Sequence, residues 1–421
     1  MHVMVLGGGV VGVTTAWYLR QAGFEVSVIE RQSALGLETS FANGSQISVS
    51  HPQPWASPET IGLLMRWMGR ADAPIRFRLQ ADTAQWLWVL GFLHECLPSR
   101  FHRNTAVIAR LALYSAACLQ RLNDETGIAY DHLQRGILHV FFSGREFREI
   151  PQRAAVLAQL GIETETCSPA RCAEIEPALL PLQNRLAGGL YARHDHTGDA
   201  FRFTQVLGQK LAECGVQFHL DTTVEQIVCT GTVIEGVEVS SAVSSVTERL
   251  QADAYVVCLG SFTPRVLAPL GERLPIYPLK GYSATFPVCD EEKAPVVSLT
   301  DESHRIVCSR LGDRLRVAGM AELDGYNTKI DPHRAQLILD WVKAYFPGAV
   351  DFTKVSLWAG LRPATPGNVP IIGKSRIPGL WYNCGHGSLG WTLSCGSAAA
   401  LAGIMQGKMA EIDFPFLNLQ A

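Results

Sequence analysis

Residues 1–30, MHVMVLGGGVVGVTTAWYLRQAGFEVSVIE, read as strand, glycine turn, helix and strand, ending on an acid. Val3 to Leu6 form a short apolar strand, and Gly7, Gly9 and Gly12 follow it with GxGxxG spacing. In that spacing the first glycine makes the tight turn and the second lets the backbone approach a pyrophosphate, while the third lets the helix pack on the strand. The expected helix, Val10 to about Ala22, aims its N-terminal amides and positive dipole end at that phosphate, with Gly8 and Val11 in the same turn. Gly23 stops the helix, and Glu30 stands where a carboxylate accepts hydrogen bonds from an adenosine ribose. A carboxylate there repels a ribose 2′-phosphate, so the ligand is FAD or NAD rather than NADP.

The 421 residues are enough for two domains with substantial cores. A net charge of −3, with both signs spread along the chain, gives no electrostatic footprint for nucleic acid. The eleven cysteines show no CxxC pair and no Cys/His ligand spacing, so they read as reduced small hydrophobes of a cytosolic protein, and no metal site is expected. The apolar start does not read as a signal peptide, since no basic residues precede it and Gly7 to Gly9 break it. No uncharged run of ~20 residues reads as apolar enough to span a bilayer, the stretch after Ile377 coming closest.

Residues 51 to about 130 are helical in pattern and rich in tryptophan (Trp55, Trp67, Trp86, Trp88), which favours an insertion packed on a sheet over a membrane-contacting surface. A strand is expected at Gly136–Ser143 and a helix at Glu146–Leu160. A second helix, Phe203–Cys214, leads into a strand at Val216–Leu220. Thr223–Val228 reads as a hairpin, and Ala252–Gly260 as a buried parallel strand whose end faces the cofactor. From Pro275 to Ala321 the alternation suggests an antiparallel sheet, followed by a helix at Pro332–Tyr345. Gly385, Gly387 and Gly390 repeat the GxGxxG spacing after a strand, but no strand follows to carry Glu411 as a ribose acid. This second turn therefore reads as a helix N-terminus pointed at the other end of the same cofactor, where a reduced flavin gathers negative charge. The fold class is α/β: a Rossmann-like domain of residues 1–50, 195–268 and 352–421, with an α+β substrate domain of residues 51–194 and 269–351 built on the antiparallel sheet.

Six blocks in order, GGGVVGVTTAWYLRQAGFEVSVIER, LETSFANGSQIS, YPLKGYS, RVAGMAELDGYN, WAGLRPATPGNVPIIG and NCGHGSLGWTLSCGS, resemble the D-amino acid dehydrogenase branch of the D-amino acid oxidase-like flavoproteins. The resemblance covers essentially the whole chain. It implies a GR2-type fold with noncovalent FAD, and oxidative deamination of D-amino acids to 2-oxo acids and ammonia. Hydride would pass from Cα to flavin N5, and electrons on to a quinone at the cytoplasmic face of the inner membrane, touched peripherally. By the same resemblance Glu30 and Arg31 hold the adenosine half, Ser40, Asn43, Ser45, Gln46 and Ile47 line pyrophosphate and isoalloxazine, and Val224 meets the adenine. Ser388, Leu389, Gly390 and Trp391, with Gly387 before them, face the flavin pyrimidine, and Gly260 borders the cofactor. Gly360 matches the place of a flavin-attaching cysteine in sarcosine oxidases, so no covalent bond is expected.

Arg362 in WAGLRP matches the arginine that binds the substrate carboxylate in glycine oxidases. A planar guanidinium grips a carboxylate bidentately and so fixes the Cα hydrogen. Lys280, Tyr282 and His386 are further candidates. The chain departs from the branch at His51, at Thr365-Pro366-Gly367-Asn368 and at His304 beside Arg305, which points to an altered side-chain preference and places His304 near the pocket. Rival readings are an oxygen-using oxidase of glycine, sarcosine or proline type, a flavin-bearing protein without turnover, and a plain NAD dehydrogenase.

Overall fold

Val3 to Leu6 are all buried, so strand β1 (His2–Leu6) is apolar on both faces, as a strand covered from both sides must be. The computed structural model describes residues 1–67, 73–78, 80–241 and 247–419, with backbone alone for 64–67. β1 pairs in parallel with β2 (Glu25–Ile29) on one side and with Ala254–Val257 on the other. The sheet continues outward through Gln217–His219 beyond β2, and through Leu380–Cys384 and the antiparallel Ile371–Lys374 at the other edge. Helix α1 (Val10–Gln21) connects β1 to β2, and the Gly390–Met405 helix lies against it, where the Thr14 hydroxyl donates to the Ser394 carbonyl at 3.2 Å.

The helical segment folds into α2 (Pro58–Trp67), α3 (Thr83–Glu95) and α4 (Pro98–Thr126). α4 meets the Gly390–Met405 helix so closely that a Cβ at Gly396 would stand 2.7 Å from the Ser115 backbone. The Ser115 hydroxyl accepts the Gly396 amide at 3.0 Å. α3 instead buries Trp88 and Phe92 against Tyr277, Leu279 and Ala321 of the second sheet. The side chain of Trp67 lies outside the described residues.

That second sheet has nine strands, in the order 356–364, 277–287, 314–323, 306–311, 298–301, 137–141, 188–192, 165–167, with Ile75–Phe77 added beside 321–323. Most pairs are antiparallel; Ser298–Asp301 runs parallel to Ile137–Phe141. The Pro332–Tyr345 helix covers its back, burying Ile338, Trp341 and Val342.

Four expectations are corrected. Ser356–Ala364, assigned by sequence to the nucleotide-binding segment 352–421, pairs along its length with Tyr277–Pro287 and so belongs to the nine-stranded sheet. The helical stretch 51–130 contains the strand Ile75–Phe77, whose partner lies 246 residues onward. Glu146–Leu160 is two helices, Gly144–Phe147 and Ile150–Gln159, because Pro151 starts a new first turn, where its missing amide is harmless. Gly387–Met405 is long and apolar enough to cross a membrane, yet 67% of it is buried inside the protein, as suits a core helix.

Candidate active site

An acid holds the first glycine turn from behind. Glu30, buried just after β2, accepts the Gly8 amide at 2.7 Å and the Gln32 amide at 2.9 Å, and burial raises its pKa despite both bonds. Gly7 adopts φ +111°, and a Cβ at Gly12 would lie 1.8 Å from the Gly7 carbonyl oxygen, so neither position accepts a side chain. Gly8 and Gly12 thus shape the turn from behind, while Gly7, Gly9, Val10 and Val11 line a cavity of about 1610 Å³. Glu30, Arg31, Ser40 and Val224 border the same end, where Ser40 accepts the Val10 amide at 3.0 Å. Arg31 pairs with Glu38 and lies 3.8 Å from the centre of the Phe262 ring.

The loop after Ser40 forms the middle of the cavity, with Asn43, Ser45 and Gln46 on its wall together with Gly260 and Gly360. Ser45 is left-handed at φ +60°, and its amide donates to Asn43 Oδ1 at 2.9 Å. Gln46 Nε2 donates to Ser298 at 2.9 Å and Thr300 at 3.0 Å, tying loop to sheet. Buried Asp195 accepts the amides of Val49 (2.9 Å) and Ser50 (3.2 Å) and the hydroxyls of Ser48 (3.1 Å) and Ser50 (2.5 Å), which fixes the rest of the loop. At the far side Gly385 and Gly387 are both left-handed, and Gly387, Ser388, Leu389, Gly390 and Trp391 bring the N-terminus of the last helix to the cavity. His386, also on the wall, is buried with Nε2 3.0 Å from Ser397 Oγ, and burial lowers its pKa to about 3, leaving the ring neutral.

Arg362 lies on the sheet side of this cavity. Its Nη1 donates to the Met320 carbonyl at 2.8 Å, and Trp55 stands with its ring centre 5.8 Å from the guanidinium carbon. Among the described residues no acid pairs with it, and enclosure alone pushes its pKa down to about 10, still fully charged at neutral pH.

Four of the sequence candidates do not act in the cavity through their side chains. Tyr282 borders it, but strand alternation turns its ring to the opposite face from Gly281, where the hydroxyl donates to Glu322 at 2.7 Å. Lys280 shares that face, its ammonium 3.0 Å from Glu322 and 3.3 Å from Asp324; burial opposes its charge, and Glu322 outweighs it and raises the pKa. His304 points away: its side chain is 52% exposed, with Nδ1 2.8 Å from Asp301. Ile47 is buried in the core behind the loop, pairing with His196, because its neighbours Gln46 and Ser48 take the cavity side.

Sequence reasoning missed a cluster at one end of the same cavity. His51, His139 and Glu302 bring ring nitrogens and a carboxylate within 4.8 Å of one another. His139 Nδ1 is 3.0 Å from Glu302, which also accepts Arg153 at 3.0 Å and Arg305 at 3.3 Å. Two guanidinium groups on one carboxylate compete with any cation there. Burial acts to raise the pKa of Glu302, but Arg153, His51 and His139 outweigh it and hold the carboxyl well below the ordinary range. His51 had stood out as a departure, but nothing in the sequence joins it to Arg153 and Glu302, 102 and 251 residues away.

The cavity therefore runs from an acid-backed glycine turn past a second helix N-terminus to an unpaired guanidinium, a shape and donor set that fit a dinucleotide with a carboxylate beside it. The sequence profile of the family described as FAD dependent oxidoreductase matches residues 2–404. The chain belongs to this family. Among its relatives, a D-amino acid dehydrogenase of Dechloromonas aromatica (strain RCB) is 50% identical over 99% of this chain and 100% of its own length. Another, of Paramagnetospirillum magneticum, is 46% identical over 100% of this chain and 98% of its own length. Solved structures share the fold of this FAD-dependent oxidoreductase: glycine oxidase from Geobacillus kaustophilus (TM-score 0.75, 19% identity, 100% of this chain and 99% of that one) and L-proline dehydrogenase from P. horikoshii (0.74, 17%, 97% and 94%). FAD is thus the cofactor, and the Glu30-backed glycine turn, the loop after Ser40 and the second glycine turn are the cavity segments that would hold it.

Proposed function

We propose that the enzyme is an FAD-dependent D-amino acid dehydrogenase that releases a 2-oxo acid and ammonia and passes electrons to a quinone. One observation carries the reading: a charged, enclosed Arg362 with no acid beside it among the described residues, in a chain half identical over its length to a D-amino acid dehydrogenase. A substrate carboxylate supplies the missing counter-charge, and its bidentate grip fixes the amino-bearing carbon. Bound FAD supplies the two-electron acceptor for the Cα hydride. The chain's own work is positioning, since no side chain needs to take the hydride. Neutral His386 beside the second glycine turn adds no charge there.

An exposed apolar stripe supports peripheral contact with a lipid surface. Trp86, Leu90 and Leu93 on α3 and Leu97 just after it are spaced by four, three and four residues, on one helical face, with Leu87 beside them. Leu87 and Leu90 are 60% and 63% exposed. Leu63 of α2 and Phe101 of α4, from the helices on either side of α3, line the cavity.

The test is Arg362→Lys in the holoenzyme. An ammonium cannot reproduce two parallel hydrogen bonds. The expected outcome is FAD retained and kcat/KM for D-alanine lowered roughly 30- to 1000-fold, about 2–4 kcal/mol of transition-state stabilisation. Unchanged kcat/KM would remove the carboxylate role. Peroxide formed in step with turnover would replace the quinone by oxygen as acceptor.

A further inference from the structure

We infer that Gly281 and the carbonyl of Met320 are positioning residues that seat Arg362 and leave its Nε–Nη2 edge for the substrate carboxylate, an inference that rests on the carboxylate role just proposed. Gly281 lies in the middle of the Tyr277–Pro287 strand, paired on both sides. A glycine inside a strand weakens it, and this one does not have the left-handed φ that would require glycine. What occupies its side-chain space is the guanidinium: a Cβ on Gly281 would lie 2.3 Å from Arg362 Nη2, 2.4 Å from its Cζ and 2.7 Å from Nη1. Strand pairing explains how it gets there. Arg362 stands opposite Leu279, and Gly281 opposite Gly360, so the long side chain crosses diagonally onto the bare backbone of the neighbouring strand. The facing Gly360 is bare for a matching reason, since a Cβ there would meet the Trp358 ring at 1.9 Å.

The second half of the seat is a β-bulge. Lys280 pairs with Glu322 and Tyr282 with Gly319, so the Arg314–Leu323 strand carries one extra residue at this point. Within it Met320 takes φ +62°, a left-handed conformation costly for a side chain of its size. Its carbonyl accepts Arg362 Nη1 at 2.8 Å. The bulge is held from the back by Glu322, fully buried among Lys280 (3.0 Å), Tyr282 (2.7 Å) and Arg334 (3.4 Å). With the flat of the guanidinium on Gly281 and Nη1 turned to Met320, a bidentate carboxylate is left the side-on edge made by Nε and Nη2.

Gly281→Ala tests the seat. The clashing atoms belong to the far end of a flexible side chain, so the protein is expected to fold and hold FAD while the guanidinium is displaced. Propionate, a carboxylate without the amine, is titrated against the flavin absorbance of the holoenzyme, alongside KM and kcat for D-alanine. Expected are a Kd and a KM at least tenfold higher with kcat lowered less than threefold, and no further loss when Gly281→Ala is added to Arg362→Ala. Parent-like propionate binding by Gly281→Ala, or an equal loss on the Arg362→Ala background, overturns the seat. Should Arg362→Ala itself bind propionate like the parent, the carboxylate role fails instead. A crystal structure of the parent holoenzyme with propionate decides independently of how the variant folds: a carboxylate on Nε and Nη2 with the Met320 contact kept supports the seat, and one on Nη1 and Nη2 with that contact broken refutes it.

Discussion

Enclosure leaves Arg362 charged and His51 neutral, because the same desolvation acts on groups whose ordinary pKa values are 12.5 and 6.5. Burial pushes His51 down to about 3, against the pull of Glu302 and with the help of Arg153, His139 and Arg305. The consequence for stability has a definite sign. Below pH 6.5 the unfolded chain takes a proton at His51 that the native protein refuses until about pH 3, so stability falls with pH across that window. Between pH 6.5 and 5.5 the unfolding free energy of the parent should therefore drop, and His51→Gln should remove a share of the slope of about 1 kcal/mol per pH unit. Denaturant titrations of both proteins at the two pH values check this, and equal slopes would mean that His51 is protonated in the folded state. At this scale the sequence was readable where chemistry is local. Glu30 and Arg362 stand in short patterns that state their surroundings, whereas Glu302 meets Arg153 only because the Ile150–Gln159 helix packs beside it, and Tyr282 meets Glu322 only through strand pairing.

Elements announced by spacing came out where expected: the β1 turn into α1, the Pro332–Tyr345 helix, and the second glycine turn ahead of Gly390–Met405. Those that failed depend on remote partners. Ile75–Phe77 is three residues long and becomes a strand only because 321–323 offers it an edge. Ser356–Ala364 precedes a glycine-rich stretch that belongs to the nucleotide sheet, and no local signal marks the passage from one sheet to the other. α3 shows the opposite problem, since its sequence is apolar nearly all round and periodicity cannot separate the face packed at Trp88 and Phe92 from the face left open. The open face makes a prediction. Leu87→Ser together with Leu90→Ser should leave FAD content and D-alanine oxidation by a soluble dye unchanged, while co-sedimentation with vesicles of anionic and zwitterionic phospholipid falls at least tenfold. Equal sedimentation of the variant and the parent would remove α3 from the membrane reading.

For the molecule as a whole, the cofactor cavity is walled by segments of both sheets, so bound FAD would tie the two together. A ligand that binds only the folded state adds about 2.7 kcal/mol when present at a hundred times its Kd. Removing FAD should accordingly lower Tm by several degrees, and added FAD should restore it. Since Gly360 offers no side-chain atom for attachment, acid precipitation should leave the flavin in the supernatant; flavin in the pellet would contradict this. The order of the six-stranded sheet has a further consequence, for biosynthesis. β1 emerges from the ribosome before its sheet partners, and its neighbour Ala254–Val257 and the adjoining Leu380–Cys384 come far later. At about 5–20 residues per second the interval to the last of these is on the order of 20–80 s. For that time the nascent chain carries a strand that is apolar on both faces and has no completed sheet to join, the kind of surface that chaperones acting during translation cover, and the cavity for FAD is walled only once residues 383–392 have been made.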